Sequence, residues 1–137
     1  MNALLAHIQA KNAAARAWVA AGPKRWAGEL TEDVAHWNGY GVTTPDELDR
    51  YLLACDVYET TKSVWGYKPA WNGLMAQTVA ELEADLARLV ADGKAQREQA
   101  QQDRIARKLA KRREAKEHAE AIVRATTREE WTLAMAF

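Results

Sequence analysis

The chain has 137 residues, with 19 Lys and Arg against 19 Asp and Glu, so its formal net charge is zero. That length allows one domain with an appendage and argues against two, and 48% apolar residues supply a real core and exclude wholesale disorder. The balanced charge excludes a generally basic nucleic-acid binder and a generally acidic DNA mimic, leaving room only for local patches.

Residues 2–21 place Leu4, Leu5, Ile8, Ala15, Trp18 and Val19 at three- and four-residue spacing, which is one apolar face of a helix. Gly22-Pro23 ends it, Gly suiting the position after the cap and Pro being unable to continue. Residues 24–30 form a connection that holds Trp26 and Gly28. A short helix is expected over Glu32 to Trp37, with Thr31 as its N-cap. Asn38-Gly39-Tyr40-Gly41 then makes a turn in which the glycines allow positive φ and Tyr40 is displayed.

Thr44-Pro45-Asp46-Glu47 is the clearest start signal: a Thr cap, Pro with no N–H to lose, and Glu reaching back to a free N–H. The helix it opens should run from 45 to about 64. Its stripe reads Leu48, Leu52, Cys55, Tyr58 and Thr61 or Lys62, with Tyr51 beside it, and Gly66 and Pro69 end it. Residues 65–77 read as a loop dense in aromatics. A second capping box, Thr78-Val79-Ala80-Glu81, opens the last major helix, where Leu82, Leu86, Leu89 and Val90 give three turns of apolar stripe.

The stripe then stops. From Asp92 to Glu120 the only large apolar residues are Ile105 and Leu109, in a stretch of strong helix formers whose one weak point is Gly93. A continuous helix from 79 to about 125 would be about 70 Å long. Thr127-Arg128-Glu129-Glu130 suggests a new cap and a last short helix carrying Trp131, Leu133, Met135 and Phe137. No strand-like alternation of useful length occurs. The expected fold is all-α: a helical body over 1–91 with aromatic loops, and a charged helical arm with a short terminal helix over 92–137.

Catalytic chemistry finds little footing. Cys55 is the single cysteine, so no intramolecular disulfide is available, and it reads as a small buried hydrophobe. His7, His36 and His118 fall on three different elements. The pairs Glu32/His36 and Glu114/His118 offer two ligands each where zinc wants three or four. Ser63 is the only serine, and there is no Gly-x-Ser-x-Gly and no phosphate-cradling glycine loop. The expectation is a non-enzyme with no metal and no cofactor. No run of 18 apolar residues is present, and the basic residues of the Ala-rich start lie within it rather than before an apolar block. A cytoplasmic chain is expected.

Two features point to binding. Six tryptophans is several times ordinary usage. Trp18, Trp37 and Trp65 are assigned to packing, because a small body needs large side chains to fill its core. Trp26, Tyr40, Tyr67 and Trp71 lie on glycine- or proline-marked loops beside Arg25 or Lys68. Such side chains make hot spots in interfaces, so Trp26, Tyr40, Tyr67, Lys68 and Trp71 are candidate partner-binding residues, with packing as the alternative.

The second feature is charge: residues 104–116 hold seven basic residues and one acidic. Arg104, Arg107, Lys108, Lys111, Arg112 and Arg113 are candidate nucleic-acid contacts. The alternatives are helix pairing in a homo-oligomer and a plain solvated arm. The heptad is poor, since a seam through Leu82, Leu86 and Leu89 reaches Gly93, Gln96 and Ala100.

The string Tyr58-Glu59-Thr60-Thr61-Lys62-Ser63-Val64-Trp65-Gly66-Tyr67-Lys68-Pro69-Ala70-Trp71, followed by Met75 and Glu81-Leu82-Glu83-Ala84-Asp85-Leu86, resembles small uncharacterised proteins of tailed bacteriophages. Trp26-Ala27-Gly28 and Thr43-Thr44-Pro45 fit the same pattern, so the resemblance covers about half the chain, residues 26–86. It implies a phage or prophage accessory protein in the bacterial cytoplasm, and it carries no functional residues with it. Small accessory proteins of this kind commonly bind a host protein or a defence complex. A structural phage component assembled through the long helix is the other reading of that context.

Overall fold

The computed structural model describes residues 2–136, with only the backbone of Ala134. The fold is all-α. Its helices are α1 (Ala3–Ala20), α2 (Val34–Gly39), α3 (Pro45–Trp65), α4 (Trp71–Met75) and α5 (Val79–Ala136), with no strand among the described residues. The chain divides into two units, one ending at Ala91 and one beginning at Asp92.

In the first unit α1 starts where Asn2 accepts a hydrogen bond from the Leu5 N–H at 3.2 Å. Its inward face is Leu4, Ile8 and Asn12. Trp18 does not join the core as expected: it is 51% exposed, with the Arg25 guanidinium 5.0 Å above its ring. Arg25 also donates to the Trp18 carbonyl at 3.2 Å, which accepts from the Ala21 N–H at 3.3 Å as well. The helix ends just before Gly22-Pro23, as expected, with Ala21 as its C-cap. The left-handed residue is Lys24, φ 58°, just beyond Pro23.

The second helix starts two residues later than Thr31 predicts. Asp33 is the cap, its carboxylate accepting from the Ala35 N–H at 3.1 Å, while the Thr31 hydroxyl accepts from the Asp33 N–H at 3.2 Å. A carboxylate at the positive end of the helix dipole outcompetes a hydroxyl there. Of the two glycines around Tyr40, Gly39 is helical and only Gly41 has positive φ, 79°.

The helix α3 begins as its capping signal predicts. The Thr44 hydroxyl accepts from the Glu47 N–H at 3.2 Å, and Glu47 Oε2 accepts from the Thr43 N–H at 2.8 Å. It ends at Gly66, φ 76°, whose N–H reaches the Lys62 carbonyl at 3.0 Å. Its buried line is Leu48, Ala54, Val57 and Thr61; Leu52, Cys55 and Tyr58 of the expected stripe are only half-buried. The reason is that α3 packs against both α1 and α4, so no single stripe carries its burial.

Two cores result. Leu4, Ile8, Trp37, Val42 and Leu48 form the first, and Ala54, Val57, Leu74, Leu82 and Leu89 the second. Trp37 alone of the three tryptophans assigned to packing is buried, its indole N–H donating to the Thr31 carbonyl at 2.8 Å. Trp65 is 52% exposed. The expected loop 65–77 contains α4, because a single turn there drops Leu74 into the second core.

Three polar fastenings complete the unit. Asn12 and the Leu30 backbone exchange two hydrogen bonds, at 2.8 and 2.7 Å. Arg50 donates through Nη2 to the carbonyls of Met75 and, at 2.7 Å, of Gln77. Asp49 Oδ1 takes His7 at 2.8 Å and Lys11 at 3.0 Å, tying α3 to α1. Burial pushes the Asp49 carboxyl up, but the hydrogen bonds and charges of His7 and Lys11 outweigh it and hold the group below the usual carboxylate range.

The opening of α5 is capped by the Thr78 hydroxyl, which accepts from the Glu81 N–H at 3.2 Å. The helix then runs 58 residues without a break at Gly93 and without the new cap expected at Thr127. Capping would require Thr127 to leave helical φ and ψ, and the residues before it are strong helix formers. Thr132 instead bonds back to the Arg128 carbonyl at 2.8 Å, the usual resting place of a hydroxyl inside a helix. In the second unit every described side chain from Lys94 onward is exposed. Helix propensity and pairs such as Lys94–Glu98 and Lys116–Glu120, each at 4.0 Å, support it rather than burial.

Candidate functional site

Turn chemistry sets out the aromatic residues of the first unit. Gly41 lets the chain reverse after α2, leaving Tyr40 58% exposed. Gly66 turns the chain out of α3, so Tyr67 and Lys68 stand in solvent, Tyr67 at 59%. Trp26, on the connection between α1 and α2, is 83% exposed. An indole so far exposed contributes almost nothing to folding by burial, since the hydrophobic term scales with area removed from water.

Trp71 behaves differently from its expected place on a loop. It opens α4, is half-buried, and packs against the second core. A chain of ring contacts, one tilted and one edge-on, joins it to Tyr40. Tyr40 meets Tyr51 at 5.8 Å between ring centroids, and Tyr51 meets Trp71 at 5.4 Å. Trp37 and Tyr58 adjoin at 5.9 Å from Tyr51 and 6.2 Å from Trp71, and His36 lies edge-on to Trp37 and Tyr40. Of the five candidate residues, then, Tyr40 and Trp71 belong to one aromatic row. No stacking contact among the described residues brings Trp26 or Tyr67 to it.

Beside that row lies an open groove of about 310 Å³, lined by Tyr51, Cys55, Tyr58, Glu59 and Trp71. Four of these come from α3 at positions i, i+4, i+7 and i+8, the spacing of one helical face. That spacing is the only sequence signal for the groove, and it reads equally as a core stripe. Cys55 is therefore a groove-lining thiol and not the fully buried hydrophobe expected. Burial pushes its pKa up, Asp56 and Glu59 push it the same way, and the Tyr51 hydroxyl opposes them. The thiol stays protonated at neutral pH and is a poor nucleophile. Burial likewise raises the Tyr51 phenol, so it too stays neutral.

In the second unit the six basic candidates Arg104, Arg107, Lys108, Lys111, Arg112 and Arg113 are all exposed. Among the described residues none of them has an acidic partner within 4.0 Å. Arg107 donates to the Asp103 backbone carbonyl at 3.3 Å. Among the described residues, no three His, Cys, Asp or Glu side chains come together as a metal site, and no helix is long and apolar enough to cross a membrane. No family model, curated protein or solved structure matches the chain.

Proposed function

We propose that this chain is a non-enzymatic accessory protein of phage type, acting in the bacterial cytoplasm by binding and inhibiting a host protein or defence complex. The observation that carries the reading is the exposure of Trp26 on the connection between α1 and α2 and of Tyr67 just past the Gly66 cap of α3. An aromatic side chain has only two side-chain torsions to fix on association, and solvent-facing ones bury large apolar area when a partner covers them. Arg25 and Lys68 beside them supply the charged rim that steers encounter.

Trp26→Ala/Tyr67→Ala is the test, because both side chains are removable without opening the core. The expected result is an unchanged circular dichroism spectrum with at least tenfold less host protein retained by immobilised chain than the unaltered chain retains. Equal retention would place the contact elsewhere and overturn the reading.

One observation favours a second reading. Six unpaired cations along residues 104–113 suit a row of phosphates, which would make the second unit a nucleic-acid contact. Binding to a generic duplex would then fall by about a thousandfold between 50 and 200 mM salt, as neutralising six or more phosphates demands. Charge reversal at Arg107, Lys111 and Arg112 would abolish it. No mobility shift at 50 mM salt would end this reading.

A further inference from the structure

The groove of Tyr51, Cys55, Tyr58, Glu59 and Trp71 has a chemistry of its own. Trp71 stands at 68° to Tyr51 and 73° to Tyr58, so the rings form walls and do not stack as a pile. Where a ring face is left open to the groove, it presents the negative side of its π system to a guest. Glu59 completes the lining and Asp56 precedes it by one turn, so two carboxylates stand at this corner. Among the described residues, the cation found over a ring of this lining is Lys62. Its ammonium lies 5.8 Å from the centroid of Tyr58 and 3.4 Å from Glu59 Oε2. A tethered ammonium therefore already rests where a ring face and a carboxylate meet.

Which cation the groove takes follows from what the lining lacks. Apart from Glu59 it presents ring faces, a neutral thiol and phenol edges, which are few acceptors for a primary ammonium with three N–H groups to satisfy. A compact ammonium would give up strong hydration for little return. An ammonium whose charge is spread over methyl groups has no N–H to leave unpaired, and its methyls pack on aromatic faces. A volume of about 310 Å³ is at the small end of ligand sites, and a trimethylammonium head with a short stem fits it.

We propose that this groove binds a methylated ammonium group, held by the faces of Tyr51, Tyr58 and Trp71 with the Glu59 carboxylate as its counter-ion. The site uses none of Trp26, Tyr67 or Lys68, so it stands or falls separately from the partner reading.

The experiment is a titration of the full chain with choline, followed through the Trp71 indole N–H resonance. Its control is 3,3-dimethylbutan-1-ol, which has the same shape without the charge. Choline is expected to saturate the Trp71 shift and to bind about tenfold more tightly than the alcohol, as contact with several ring faces would give. Glu59→Gln, an exposed substitution, should weaken choline several-fold and leave the alcohol unchanged. Lys62→Gln, which removes the tethered competitor, should strengthen choline. Trp71 also packs on the second core, so Tyr58→Leu is the better wall variant; it keeps the apolar bulk and should weaken choline selectively. Nα-acetyl-Nε-trimethyllysine amide shows whether the head is better accepted on a side chain or as a free molecule. Equal affinity for choline and the alcohol, indifference of choline to Glu59→Gln, or no saturation of the Trp71 resonance would each overturn the proposal.

Discussion

Asn12→Ala is expected to destabilise the first unit by about 2–4 kcal/mol, the penalty for leaving a backbone donor and acceptor unpaired away from water. Asn12 is 3% exposed, and its amide spans both polar groups of Leu30, taking the N–H at 2.7 Å and giving to the carbonyl at 2.8 Å. No backbone partner replaces it, because residues 25–33 form no helix or ladder of their own. The amide thus acts as a one-residue strand that pins the connection against α1. Urea unfolding followed by circular dichroism measures the effect as a fall in midpoint at constant slope.

Asn12→Asp sharpens the same test. An ionised carboxylate can still accept from the Leu30 N–H, but it turns a second acceptor toward the Leu30 carbonyl and leaves a charge buried. Its folded-state pKa is raised above the unfolded value of about 3.9, since burial and the facing carbonyl favour the neutral acid. Stability relative to the unaltered chain is therefore best below that value and declines as pH rises toward the folded pKa. The variant should recover toward the unaltered chain at pH 4, where the acid's O–H can donate as the amide did. A loss under 1 kcal/mol for Asn12→Ala, or a pH-independent loss for Asn12→Asp, would show that Leu30 is held by something other than this amide.

Arg50→Met is the second large effect, also about 2–4 kcal/mol, because two carbonyls lose a charged donor worth more than a neutral one. The Arg50 guanidinium reaches from α3 to the carbonyls of Met75 and Gln77, which lie between the end of α4 and the cap of α5. Arg50 Nε and Gln77 Oε1 are both buried without a partner among the described residues, so the fastening is incomplete in its hydrogen bonds. Methionine keeps the apolar stem and removes the orphaned Nε with the charge. Arg50→Lys should recover less than half the loss, since the shorter lysine side chain does not carry its nitrogen to the point where Nη2 meets both carbonyls. Thermal unfolding of the two variants side by side checks both statements. If lysine restores full stability, the two-carbonyl bridge is not what holds the connection.

These two side chains mark where reading the chain stopped working. Asn12 lies in an alanine-rich helix and Arg50 in a charged turn of another, and neither position carries a local pattern. Their partners are backbone atoms 18 to 27 residues away, and backbone atoms have no sequence identity. The groove was hidden for a related reason. Tyr51, Cys55 and Tyr58 have the spacing of a core face, and only the placement of α4 and Trp71 decides that this face is half open. Likewise Trp18 and Trp65 look like core material by size, yet burial depends on whether another element covers them.

Local signals, by contrast, were sufficient wherever a helix end depends on its own neighbours. Thr44-Pro45-Asp46-Glu47, Thr78 with Glu81, and Gly66 each act within a single turn, so the sequence alone set those boundaries and the all-α class. The same local physics sustained α5 through Gly93 and Thr127, where propensity over many residues outweighed one weak position and one spurious cap. Burial was decided in three dimensions, because hydrophobic free energy depends on area that some distant part of the chain removes from water.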